Sequence, residues 1–234
     1  MWHTIIGVEE ILVSERKERS FYITYLYNAV SSGLVRTGGT GELMFGEERV
    51  AFRLRAGSGV LSLVRDKIAE IIGIGYKYEF LNERLQVSLS AREKKLLCAA
   101  LIAADYEGDK TYIRRKVTVS NEYAIDGLYA FRFGSLREKW ERISEYIPEG
   151  FASDDLIKFC EFLVGESKSK IYLKDNTVFA ENFHPLRRSR LTGEEDLETE
   201  IMLSDAGFVY CLGEVEDSVG DFLQKYYAER AIFS

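Results

Sequence analysis

The chain has 234 residues, of which 46% are hydrophobic and 29% charged, and its formal charge is −7. Roughly 150 residues per domain gives one or two domains. This balance excludes a disordered, collagen-like or disulfide-stapled chain, and an acidic protein is repelled on average by nucleic acid and anionic lipid.

Residues 2–13 mix Ile5, Ile6, Val8, Ile11, Leu12 and Val13 with acids and fit helix or strand equally. From Glu15 to about Ser31, Phe21, Tyr25 and Ala29 fall at i, i+4 and i+8 and predict a helix that Ser31-Ser32-Gly33 ends. Gly38-Gly39-Thr40-Gly41 reads as a loop. Glu42–Phe45 and Arg49–Arg55, joined at Gly46-Glu47, read as a hairpin whose second strand alternates Val50, Phe52 and Leu54 with Ala51, Arg53 and Arg55. Residues 60–81 return to helical spacing through Leu61, Val64, Ile68 and Ile71, with Gly73 and Gly75 marking a close helix crossing or a break. Ser90-Ala91-Arg92-Glu93 is a capping-box signature. The helix it opens carries Leu97, Leu101 and Ala104 on one face, weakens near Gly108 and resumes through Tyr112–Lys116.

Leu136, Trp140, Ile143 and Ile147 set another helix, stopped by Pro148 and Gly150, and Ser153 opens one that ends near Gly165. Lys170–Leu173 and Thr177–Ala180 flank Asp175-Asn176, while Glu200–Leu203 and Phe208–Leu212 flank Asp205-Ala206-Gly207; both pairs read as hairpins. Val219, Phe222, Leu223 and Tyr226 mark a closing helix, and Ala231–Phe233 a last strand. Segregated runs of this kind predict an α+β fold: a central helical core with an N-terminal β-hairpin and a C-terminal β-rich unit of two hairpins plus a terminal helix. The corresponding segments are 1–57, 58–167 and 168–234. With only Pro148 and Pro185 and no Pro-rich linker, they are expected to pack together.

The chemistry-bearing residue types are sparse. Gly57-Ser58-Gly59 and Gly73-Ile74-Gly75 lack the third glycine of a dinucleotide loop, having Ser62 and Tyr78 in its place, and Gly38–Gly41 has no following Lys-Ser or Lys-Thr. Cys98, Cys160 and Cys211 with His3 and His184 give no closely spaced ligand pair for zinc, so neither metal nor cofactor is expected. The three cysteines, each in an apolar stretch, read as buried thiols of a reducing compartment. Glu9 and Glu10 stand where a signal peptide needs its apolar run, and the uncharged run Leu96–Ala104 is far shorter than the roughly 20 residues that span a bilayer. A cytoplasmic protein with no membrane partner is expected.

Two basic clusters are candidate anion or partner contacts. Arg114, Arg115 and Lys116 are followed by Arg132, with Tyr112, Tyr123 and Phe131 nearby as possible stacking platforms for bases. Arg187, Arg188 and Arg190 precede the acidic run Glu194–Glu200, whose opposite charges can pair with them in a solvated loop. His184, in Asn182-Phe183-His184-Pro185, is the one histidine placed for catalysis, although its context is that of a turn. Asp126-Gly127 reads as a turn.

The segment Ile125-Asp126-Gly127-Leu128-Tyr129-Ala130-Phe131-Arg132-Phe133 resembles the aromatic-x-x-Phe-Arg-Leu-Lys segment of the YtxC-like sporulation proteins of endospore-forming Firmicutes. The helix, helix and hairpin that follow in that family correspond to Leu136–Ile147, Leu156–Leu163 and Lys170–Ala180, and Phe222–Phe233 resembles its closing helix and strand. The resemblance covers roughly residues 60–234. Gly134-Ser135 and Asp155-Leu156-Ile157-Lys158-Phe159 depart from the family pattern. It implies a sporulation-associated cytosolic protein without assigned catalytic residues, in which Arg132 caps a strand or pairs with an acid. The leading expectation is therefore a non-enzymatic protein acting through protein contacts, with a homodimer left open. Nucleic-acid binding through the arginines, or a hydrolase or transferase using His184, are the alternatives.

Overall fold

The computed structural model describes residues 9–118 and 120–234. In chain order the first elements are β1 (Glu9–Arg16), α1 (Ser20–Thr37), β2 (Thr40–Phe45), β3 (Arg49–Ala56) and α2 (Ser58–Glu70). A π-helical stretch (Ile71–Tyr76) precedes α3 (Lys77–Arg84), α4 (Ala91–Ala103), α5 (Tyr106–Lys116), β4 (Glu122–Ala124), α6 (Ile125–Arg132) and α7 (Gly134–Glu145). Then come α8 (Ser153–Glu166), β5 (Lys170–Lys174), β6 (Thr177–Ala180), α9 (Leu197–Leu203), β7 (Phe208–Cys211), α10 (Asp217–Tyr226) and β8 (Ala231–Phe233). The fold is α+β, as the segregated pattern predicts. Among the described residues no helix is long and apolar enough to cross a membrane.

The chain divides into two compact units, each drawn from separate segments. One holds the described residues through Tyr76 together with Glu107–Glu138; the other holds Lys77–Tyr106 and Lys139–Ser234. These units cut across the segments 1–57, 58–167 and 168–234, because partners remote in sequence close each core.

The first unit is a four-stranded sheet in the order β2-β3-β1-β4, antiparallel except for the parallel β1/β4 pair. The expected hairpin is present as β2 and β3, but it is only half of this sheet. β1 settles the ambiguous N-terminal stretch as a strand; residues 2–8 lie outside the described residues. Ile11, Val13, Val50, Phe52 and Leu54 are buried, as are Tyr22, Ile23, Leu26 and Val30 of α1 and Val60, Val64 and Ile68 of α2. Helix α1 begins and ends later than its periodicity predicts. Ser31 and Thr37 turn their hydroxyls onto the carbonyls of Tyr27 and Gly33 inside the helix, so they do not stop it. Gly38 does, at φ 68°, with its N–H on the Leu34 and Val35 carbonyls. At Gly75 a Cβ would lie 2.6 Å from the phenol oxygen of the buried Tyr22, so this glycine marks a close packing contact.

The second unit holds a separate four-stranded sheet, in the order β6-β5-β7-β8, so the N- and C-terminal β elements do not share one sheet. β5 and β6 form the expected hairpin, and Asp175 and Asn176 have φ of 48° and 55°, the left-handed pair such a two-residue turn requires. The second expected hairpin is absent: residues 197–203 are helical, and β7 runs parallel to β5 and to β8. The alternation Glu198-Thr199-Glu200-Ile201 imitates a strand, but all of Glu198–Leu203 is buried in α9. Glu198 is taken by Arg92, and Glu200 accepts the backbone N–H groups of Arg188 and Ser189 at 2.9 and 2.7 Å. With charges satisfied inside, a helix buried all round loses its polar stripe. Asp196, accepting the Thr199 N–H, is the cap that identifies it.

The predicted capping box at Ser90 and Glu93 is present at the start of α4, and α5 runs through Gly108 from Tyr106, earlier than expected. The C-terminal sheet buries one face through Ile171, Leu173, Val178, Val209 and Cys211. Its other face carries Tyr172, Phe179, Tyr210 and Ile232 side by side in one transverse row. Cys98, Cys160 and Cys211 are free and buried. Burial pushes the Cys98 and Cys160 thiols up to about 12, so they are protonated packing residues.

Candidate functional site

The basic residues of the first unit converge. Arg114, Arg115 and Lys116 form the last turn of α5, where cations oppose the helix dipole. Arg132, in the last turn of α6, donates to the Thr118 hydroxyl at 3.1 Å and the Lys116 carbonyl at 3.4 Å. It therefore caps a helix end; it neither caps a strand nor takes an acid in these bonds. Arg114 is answered by Asp66 at 2.7 Å. Arg115, Lys116 and Arg132 are exposed. Beside Arg132, Phe131 is 89% exposed. Arg137 donates to the Ala130 carbonyl at 3.1 Å and lies over the Tyr129 ring. Of the three aromatic residues expected to offer stacking faces, Tyr123 is buried, with its hydroxyl on the Thr118 carbonyl, and Tyr112 is half-buried 6.3 Å from Phe133. Only Phe131 is presented to solvent.

The same unit contains an ionic network that the sequence does not reveal. Asp126 lies in the first turn of α6, not in an isolated turn. It receives Arg49 at 2.6 Å and Arg16 at 3.1 Å from 77 and 110 residues away. These residues border a groove of about 620 Å³ with Lys17, Glu18, Glu47 and Glu48. The Arg49 hydrogen bond holds the Asp126 carboxyl down at about 2. Behind it, fully buried Glu15 accepts the Tyr76 hydroxyl at 2.7 Å and the Arg16 N–H at 2.8 Å. Burial raises the Glu15 carboxyl despite these bonds.

The two carboxylates give opposite pH dependences. A depressed carboxylate contributes stability above its unfolded value, here 3.8, and loses it as pH falls through about 2. The raised Glu15 instead disfavours the folded state as pH rises above 4.5. Asp126→Asn should lower stability at neutral pH by about 1–2 kcal/mol, the modest figure reflecting the solvent-screened Arg16 arm. Urea titrations at neutral pH and near pH 2 check this: the variant and wild type should differ at neutral pH and converge in acid. Equal stability at neutral pH contradicts the assignment.

In the second unit, Glu195 takes Arg190 at 2.8 Å and Arg187 at 3.8 Å, so the opposite charges of that loop pair with each other. Arg188 turns inward, donating to the Leu203 carbonyl at 3.3 Å and lying over the Tyr106 ring. A cleft of about 370 Å³ runs past Arg187, Glu195, Asp196, Glu198 and Glu216. These carboxylates are engaged: Asp196 caps α9, Glu198 holds Arg92, and Glu216 accepts Asn176 at 2.6 Å. His184 is exposed in the turn after β6, its N–H on Asn182 Oδ1 and its carbonyl accepting the Ala180 N–H. There it carries the chain back along the β6 edge. Among the described residues no group of three or more His, Cys, Asp or Glu is placed to hold a metal ion.

Comparison of the chain with protein-family models, curated proteins and solved structures finds no match.

Proposed function

We propose that this chain is a sporulation-associated protein of the YtxC-like kind that works through contact with another protein, using the patch of Arg115, Lys116, Phe131 and Arg132. The observation that supports the protein contact is the 89% exposure of Phe131 among exposed cations. A solvated aromatic ring gains free energy when a partner covers it, and rings and arginines are the residue types that dominate such contacts. The surrounding positive charge selects an acidic partner surface and excludes a basic one.

Affinity capture from sporulating cells with wild-type and Phe131→Asp/Arg132→Glu bait tests the contact. Both residues are exposed, but Arg132 also caps the end of α5, so the variant's thermal melt is compared with wild type, and the single Phe131→Asp bait replaces it if the melts differ. At least one protein held by the wild type should be absent from the variant and should elute as salt rises. Identical captured sets refute the patch. Deletion of the gene in its host tests the sporulation assignment separately: a reduced yield of heat-resistant spores supports it, and an unchanged yield removes it.

A further inference from the structure

The open face of the C-terminal sheet brings aromatic rings and lysines together. Strand alternation assigns it Lys170, Tyr172 and Lys174 from β5, Thr177 and Phe179 from β6, Phe208 and Tyr210 from β7, and Ile232 from β8. Register places Phe179, Tyr172, Tyr210 and Ile232 directly beside one another across all four strands. Phe183, 61% exposed, folds back over β6 and stacks on Tyr172 with ring centroids 4.7 Å apart and planes at 16°. Tyr172 and Tyr210 follow at 5.6 Å, and the Arg230 guanidinium lies 5.1 Å from the Phe208 ring centre.

Charge is segregated on the same face. Its strand positions hold two exposed lysines and no carboxylate, in a chain of formal charge −7. Acids enter at the ends of β6, at Asp175 and Glu181. Two identical faces of this kind would bring lysine against lysine, which disfavours a second copy as the occupant. A ligand with flat rings and a regular line of negative charge satisfies both features at once.

We infer that this face binds single-stranded nucleic acid, with bases stacking on Phe183 and Tyr210, Tyr172 backing the Phe183 ring, and phosphates meeting Lys170 and Lys174. Every base has a π-face, so a platform of rings needs no sequence-specific donors. A four-stranded sheet that exposes aromatic side chains on one face is one physical solution to holding unpaired bases. This site is independent of the Phe131 patch and stands or falls without it. It uses neither the arginines at 114–116 nor those at 187–190.

Fluorescence anisotropy of a labelled single-stranded oligonucleotide of about ten nucleotides, titrated with the full chain, tests the inference. Phe183→Asn is the decisive variant, because φ at this position is 57° and asparagine tolerates that conformation. It should bind about tenfold more weakly, as should Tyr210→Ala. With both lysines engaged, log K against log salt should have a slope of about −1.4, falling to roughly half that in Lys174→Ala. Four results overturn the inference: no binding by the folded wild type, undiminished binding by Phe183→Asn, equal affinity for a duplex, or equal affinity for poly-glutamate of matching charge. The last would assign the face to an acidic peptide instead.

Discussion

Gly207→Ala should destabilise the second unit by ~3 kcal/mol, a large effect for one methyl group. A Cβ at this position would overlap the Ser167 carbonyl oxygen and lie 2.7 Å from its carbon. Both obstacles are backbone, so no side chain can swing aside to relieve them. The chain passes this closely because the Gly207 and Phe208 N–H groups both reach the Ser169 carbonyl, while the Ser167 hydroxyl holds the Asp205 carbonyl at 2.6 Å. Those bonds set the register in which β7 joins β5, and thereby which residues share the open face. Gly220→Ala, in α10, provides the control. Nothing lies within 4 Å of the added carbon, and alanine favours a helix interior by about 1 kcal/mol over glycine. Chemical denaturation of the two variants should move in opposite directions. A neutral Gly207→Ala would mean that the β5 and β7 strands do not approach as described.

Trp140→Ala should be at least as damaging, at about 4 kcal/mol. The indole is fully buried on α7, edge-on to Phe80 with centroids 5.8 Å apart. It is also 5.9 Å from the ammonium of Lys77, itself wholly buried and paired with Asp105. Truncation therefore opens a large cavity and also removes the ring that faces a buried cation. Trp140→Phe keeps a π-face and should lose only about 1–2 kcal/mol. Thermal melts of both variants give the comparison. Equal losses would show that cavity volume does not set the cost; a small loss for alanine would contradict the burial of this side chain.

Much of the local structure was legible because it is set by short-range chemistry. The Ser90 and Glu93 box, the Asp175-Asn176 turn, the Leu136–Trp140 face and the closing helix each depend on residues within a few positions of one another. Errors arose where a tertiary partner changed what a residue type means. Ser31-Ser32-Gly33 read as the end of a helix, yet the Ser31 hydroxyl bonds back into α1, which runs on to Thr37. Glu198 read as part of a solvated acidic loop and Glu200 as the start of a strand, yet Arg92 and two backbone N–H groups satisfy them inside the unit.

The candidate surfaces divide in the same way. Arg114–Lys116 and Arg132 were visible as cations, and Arg187–Arg190 as cations beside acids. Only the fold places Arg132 at the end of α5, leaves Phe131 in solvent and folds Glu195 onto its neighbours. Asp126 carried no local signal, because its guanidinium partners come from strands far along the chain.

By itself the sequence determined the α+β class, the positions of most helices and strands, the buried character of the three cysteines, and the lack of closely spaced residues for a familiar metal or phosphate motif. The tertiary structure decided that there are two separate sheets, that β7 and β8 pair in parallel, and which aromatic rings stay on the surface. Strand partners and burial depend on contacts between segments tens of residues apart. Periodicity reports which residues share a face, but not what that face meets.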